Sequence, residues 1–458
     1  MRRDSPAFDV VVSGGTCVTP WGTVEADLGV RDGRIAALGS LGSCIAGERF
    51  DARGLHVLPG VIDTQVHFRE PGLEHKETIA SGTAAALLGG VTTVLDMPNT
   101  VPPTTTADAL ADKVGRVHGR AWTDIAFFVG ATPENASTLG ALEGLPGCSG
   151  VKLFMGSSTG SLLVDDEAAL AEVMRHGRRR IAVHAEDEGR LVERRHFAAA
   201  PGAGVGVHPV WRDELSALLA TERCLRVARR FGRRVHVLHV TTAEELEVLE
   251  RHRDVATFEV TPQHLTLAAP DCYERLGTLA QMNPPIRDAR HRTALWRALR
   301  AGLVDVVGSD HAPHTREEKA RPYPTSPSGM PGVQTLLPVM LTHVHEGRLS
   351  LARLVDLVAT GPARVYAMAR KGRIAVGADA DLACVDLTRR VRLTHAMMRS
   401  ACGWTPFHGL EVVGFPVATL LRGRIAARDG DLVGAPEGRP VVFEETLAAR
   451  LAGDPPRS

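Results

Sequence analysis

The chain has 458 residues, with 53 Lys and Arg against 53 Asp and Glu and a pI of about 7.3. That balance excludes the basic field a nucleic-acid or anionic-membrane partner requires, and no run of ~18 apolar residues offers a membrane span. The seven cysteines are scattered singly without a CxxC pair, which fits reduced thiols in a cytoplasmic protein acting on a small molecule.

In chain order, residues 1–56 alternate β-rich runs with glycine turns, as in "FDVVVSGG" and "ADLGVRDGRIAALG". They read as part of a small antiparallel sheet with nothing chemical in it. From Val57 the pattern becomes apolar run, polar tip, then a helix-length segment. It recurs eight times: "HVLPGVIDTQVHF", "GVTTVLDMPN", "DIAFFVGAT", "GVKLFMGSS", "RIAVHAED", "RVHVLHVTT", "ATFEVTPQH" and "VDVVGSDHAPH". Amphipathic segments such as "WRDELSALLATERCLRVARRFG" lie between them, and eight βα units close a barrel. Residues 57–365 are therefore read as a (β/α)8 TIM barrel of the α/β class. Residues 366–458 return to short strands and end in a tail, "GDPPRS". They are expected to pair with residues 1–56 in a small β-sandwich domain.

In a barrel of this kind the site lies at the C-terminal ends of the strands, so the polar tips are neighbours. They are Asp63, Gln65, His67 and Arg69; Asp96 and Asn99; Lys152; His184, Glu186 and Asp187; His239; His264; and Asp310, His311 and His314. A single strand-end histidine is ordinarily a hydrogen-bonded bystander. Several on separate strands, with an aspartate at the last one, form a donor set for a divalent metal such as zinc.

Lys152 is one of only five lysines among 53 basic residues and sits inside an apolar run. A cation there is desolvated unless it snorkels to the barrel mouth or is chemically changed, and an amine, unlike a guanidinium, can be carboxylated by carbon dioxide. Asp310 directly follows the eighth run, a place suited to a carboxylate that binds metal and shuttles a proton, or to a helix N-cap.

Taken in order, "PGVIDTQVHFREPG", "GGVTTVLDMPNT", "VKLFMGSSTGSLLVDD", "HAEDE", "VHVLHVTTAEEL", "MNPPIR", "GSDHAPHT", "PSGMPG", "VGADADL" and "CGWTPFHG" resemble the dihydroorotase family, in the cyclic-amidohydrolase branch of the amidohydrolase superfamily. The resemblance implies a zinc hydrolase that interconverts N-carbamoyl-L-aspartate and L-dihydroorotate in pyrimidine (UMP) biosynthesis, with one or two Zn2+ per chain. It implies His67, Lys152, His184, His239 and Asp310 as metal ligands, with Lys152 carboxylated and bridging and Asp310 as catalytic acid and base. It further implies Arg69, Asn99, Asn283 and His314 as substrate contacts. Arg69 with Asn99 favours a ring bearing a carboxylate over the rings of allantoinase, hydantoinase or dihydropyrimidinase. A homo-oligomer, dimer or tetramer, is expected, with aspartate transcarbamoylase as a candidate partner.

One position departs from the family's D-x-H-x-H pattern, which here reads Asp63-Thr64-Gln65-Val66-His67. An amide is a much poorer zinc ligand than imidazole. The expectation is a weakly held buried metal, or a single firm one; the rival is a silent scaffold for the transcarbamoylase. The segment 314–332, rich in glycine and proline, is left open as a lid.

Overall fold

The computed structural model describes residues 6–157 and 162–444. The centre of the "FMGSSTGSLLVDD" motif and the tail "GDPPRS" lie outside the described residues. The chain begins with β1 (Phe8–Thr19), β2 (Gly22–Arg31), β3 (Arg34–Gly39), β4 (Ala46–Asp51) and β5 (His56–Pro59). Eight further strands follow: β6 (Val61–Val66), β7 (Val91–Asp96), β8 (Asp124–Gly130), β9 (Cys148–Phe154), β10 (Ile181–His184), β11 (Val235–Val237), β12 (Ala256–Val260) and β13 (Val306–Val307). The last are β14 (Leu382–Arg392), β15 (Glu411–Leu421), β16 (Arg424–Arg428) and β17 (Asp431–Leu432).

Strands β6 to β13 form one parallel sheet in sequence order. Every residue of β6 to β11 is buried, the reason these strands are written as continuous apolar runs rather than alternating ones. The ring closes where Val66 bridges His311 in parallel, with His67 N–H donating to the His311 carbonyl (2.8 Å) and His311 N–H to the Gln65 carbonyl (3.2 Å). The expected TIM barrel is therefore present.

The remaining nine strands form a second, mixed sheet in the order β17-β16-β15-β14-β5-β1-β2-β3, with β4 on β1. N- and C-terminal segments do pair, through the antiparallel contact of β14 with β5. They share one buried cluster that includes Val10, Leu28, Phe50, Val57, Leu382 and Leu420. This sheet meets the barrel where the barrel strands begin. Gly60 sits at that junction because a Cβ there would lie 2.1 Å from Thr92 Oγ1. No helix among the described residues is long and apolar enough to cross a membrane, and all seven cysteines are free.

The junction is pinned by charge. Lys371, 4% exposed in its side chain, pairs with Asp124 at the start of β8 (2.6 Å), with Asp381 and with Asp379 (3.4 Å), while Arg422 also binds Asp124. Burial alone depresses an ammonium, but the surrounding carboxylates hold Lys371 above its ordinary value. Removing one member of such a group leaves buried charge without compensation. Lys371→Met is expected to cost about 3–5 kcal/mol, read as a lower urea midpoint with an unchanged slope.

Candidate active site

The strand ends at the opposite face place the predicted side chains close together. Gln65, His67, Lys152, Phe154, His184, His239, Asn283 and Asp310 line one small cavity, with Ser328 and Gly329 closing its side. Three residues of the predicted set have left-handed backbone: Arg69 (φ 62°), His239 (φ 38°) and Asp310 (φ 45°). Such conformations cost about 1–3 kcal/mol each and persist only where the surroundings impose them.

The donors fall into two groups with Lys152 as the common neighbour. In the first, His67 Nδ1 donates to Asn99 Oδ1 (2.7 Å), which leaves the Nε2 lone pair facing Asp310 Oδ1 at 3.3 Å. In the second, His184 Nε2 donates to Glu186 Oε2 (2.9 Å), so its Nδ1 lone pair faces His239 Nε2 at 3.0 Å. Partners of this kind choose which ring nitrogen is left to bind. Burial, with Arg69 and Lys152 adding positive charge, drives His67 well below its ordinary value; burial and the neighbouring His184 do the same to His239. Burial also lowers His184. All three are neutral imidazoles and therefore lone-pair donors.

Lys152 is the anomaly. Its Nζ is buried without a hydrogen-bond partner, 4.5 Å from the centroid of the Phe154 ring. Burial pushes it down to about 7 and pushes Asp310 up to about 7. A buried amine without a partner is costly unless another charged group joins the set. Two imidazole nitrogens on one tetrahedral zinc stand about 3.3 Å apart, close to the His184–His239 spacing. The residues thus fit a divalent cation between them. A separate trio, Glu214, Asp288 and His291, has its carboxylate and imidazole atoms within 4.8 Å of one another. There His291 Nδ1 accepts from Ala243 N–H (3.1 Å) and its Nε2 faces Glu214 (3.3 Å), so the ring joins helix ends.

Arg69, Asn99 and His314 do not line the cavity; they stand behind it. Arg69 Nε donates to the Pro313 carbonyl (3.1 Å), and its Nη2 lies 3.3 Å from His314 Nε2, which is held by the Ser328 carbonyl (3.0 Å). Asn283 reaches the cavity while accepting from His208 Nε2 (2.9 Å). His264 instead supports the Pro284 carbonyl (3.2 Å), and His311 donates toward Glu77 (3.3 Å). The segment 314–332 is tied down: Ala312 N–H bonds the Met330 carbonyl (3.0 Å), and Lys319 Nζ bonds the carbonyls of Gln281 (3.0 Å) and Pro327 (2.8 Å).

Sequence reading listed Glu186 only as a tip and missed Arg212. Arg212 Nε donates to Glu186 Oε1 (3.0 Å) and its Nη2 to the Ser157 carbonyl (2.8 Å). The two residues are 26 apart within the β10–β11 connection, and nothing in the spelling "HPVWRDE" points back to "HAEDE".

Residues 56–426 match the model of the amidohydrolase family. The chain is 40% identical over 432 residues to the dihydroorotase of Halobacterium salinarum, covering 91% of this chain and 98% of that protein. It is 36% identical to the dihydroorotase of Methanosarcina mazei, covering 87% and 90%. Among solved structures, the L-hydantoinase (dihydropyrimidinase) from Arthrobacter aurescens superposes with a TM-score of 0.90 at 31% identity, covering 95% and 99%.

Arg212→Met leaves Glu186 buried with only a neutral imidazole beside it. The expected result is a stability loss of about 3–5 kcal/mol and loss of the single Nε2–H tautomer of His184 in 15N NMR of the imidazoles.

Proposed function

This chain belongs to the amidohydrolase family, and we propose that it is a zinc-dependent dihydroorotase, interconverting N-carbamoyl-L-aspartate and L-dihydroorotate on the route to pyrimidines. It is a hydrolase of cyclic amides. The observation that carries the narrower reading is Arg69, a guanidinium 2% exposed behind His67. Burial lowers it only to about 10, so it is a fixed cation at neutral pH. It supplies a planar fork for a carboxylate that hydantoin, allantoin and dihydrouracil lack.

His67, Lys152, His184, His239 and Asp310 would hold the cation, Lys152 as its carbamate. A cation bound there polarises the scissile carbonyl and acidifies water. The chain's own part is positional and protonic. Asn283 would orient the ring from the cavity wall, and Arg69, Asn99 and His314 from just behind it. In hydrolysis a water oxygen adds to the ring amide carbon, Asp310 takes the proton that water loses, and the same carboxyl delivers it to the nitrogen as the C–N bond breaks. In synthesis Asp310 removes the ureido proton as that nitrogen closes on the carboxyl carbon, and returns it to the oxygen that leaves as water. Without the cation, burial pushes the Asp310 carboxyl up to about 7.

Four outcomes are expected. L-dihydroorotate is opened by zinc- and bicarbonate-loaded protein, while hydantoin, allantoin and dihydrouracil are not; turnover of an uncarboxylated ring instead would favour the hydantoinase-like reading. Asp310→Asn lowers kcat by about 10²–10⁴-fold, and Arg69→Met raises KM by about 10–100-fold. In 13C-bicarbonate, at fixed dissolved carbon dioxide, a carbamate resonance grows as pH rises through about 7, where Lys152 loses its proton. The signal is missing in Lys152→Arg.

A further inference from the structure

We propose that the two cation positions at this site are unequal by construction: Gln65 weakens the one it shares with His67 and Asp310, leaving a single tight position at Lys152, His184 and His239. The inference rests on the cation reading above but not on the identity of the substrate.

The argument is one of lone pairs. Gln65 is 1% exposed, and its Nε2 donates to Asp310 Oδ1 at 3.0 Å. That same oxygen faces His67 Nε2 at 3.3 Å. Turning the amide over would set its carbonyl oxygen against the Asp310 carboxylate, so the neighbour dictates which end points inward. The end turned toward Asp310 is an N–H, the positive end of the amide dipole. Gln65 Oε1 meanwhile has no hydrogen-bond partner. At this position a cation finds the lone pair of His67 and a carboxylate oxygen already engaged by the Gln65 N–H.

The other end is built differently. His184 carries its proton on the nitrogen bound to Glu186, which is itself neutralised by Arg212. Its remaining nitrogen and His239 Nε2 stand 3.0 Å apart, with no amide N–H directed between them. The positive charge of a cation is opposed at one position and unopposed at the other. Gln65 therefore does for Asp310 what a metal bond does elsewhere: it fixes the carboxylate's rotation, as a positioning residue.

The test counts zinc on the full-length protein. After loading with zinc and bicarbonate and dialysis against a weak chelator, wild type is expected to retain about one zinc per chain, and Gln65→His and Gln65→Glu, each supplying a lone pair, about two. Chelator competition is expected to put the second wild-type zinc at least about tenfold weaker than the first. Two equally tight zincs in wild type overturn the proposal, as does an unchanged count in whichever of the two variants folds. No retained zinc in wild type overturns the cation reading itself. Because no substrate enters the count, these outcomes stand apart from those of the ring-opening assay.

Discussion

Everything at the barrel mouth hangs on the seam between the first strand and the last. β13 is two residues long, and closure is achieved just beyond it, where His311 and the Gln65–His67 backbone exchange hydrogen bonds. The side chains flanking that seam are Gln65, His67 and Asp310, so the contact that shuts the ring also brings an acid, an imidazole and an amide face to face. The seam is held from outside by Glu77. Its fully buried carboxylate receives His311 Nε2 (3.3 Å), the Ala401 N–H (3.1 Å) and the Ser400 hydroxyl. Those groups draw a late loop of the chain onto the closure point. Trp404, four residues beyond Ser400, donates from its indole to the His314 carbonyl (2.8 Å). The loop "CGWTPFHG" is thus a brace for the site rather than part of its chemistry.

The mouth and base of the barrel treat buried charge in opposite ways. At the base, Lys371 and Arg422 meet their carboxylates directly, and the ions cancel. At the mouth, the amine of Lys152 has no partner and three imidazoles are kept neutral. A base whose task is cohesion satisfies its polar groups; a mouth whose task is to receive something holds them in waiting. Left-handed backbone at Arg69, His239 and Asp310 belongs to the same pattern, since strain at the mouth is carried by a scaffold secured elsewhere.

Much of this was legible in the residues. Continuous apolar runs with polar tips announced parallel strands buried on both sides, and the tips His67, Lys152, His184, His239 and Asp310 do line one cavity. What was illegible depends on distance in the chain. The resemblance implies Asn99 as a substrate contact; that its carbonyl oxygen also orients His67 is visible only when β6 and β7 lie side by side. Glu77 acts on His311 from another βα unit and Arg212 on Glu186 from 26 residues away, where no spacing rule reaches. Gln65 was recognisable as a departure, but not that its N–H would find Asp310 across the seam. The segment 314–332 looked loose from its glycines and prolines; Lys319, buried in its middle, ties it to backbone carbonyls.

The pairing of β5 with β14 sets a schedule for the ribosome. Pro59 finds its partner only in Leu382, and at 5–20 residues per second that strand edge waits roughly 15–65 s during synthesis. For that interval β5 presents an open backbone edge beside a barrel that itself cannot close before His311 is made. The nascent chain must pass through a long period with both sheets incomplete. A chaperone shielding the first 60 or so residues would have most to do on this protein before its last third emerges.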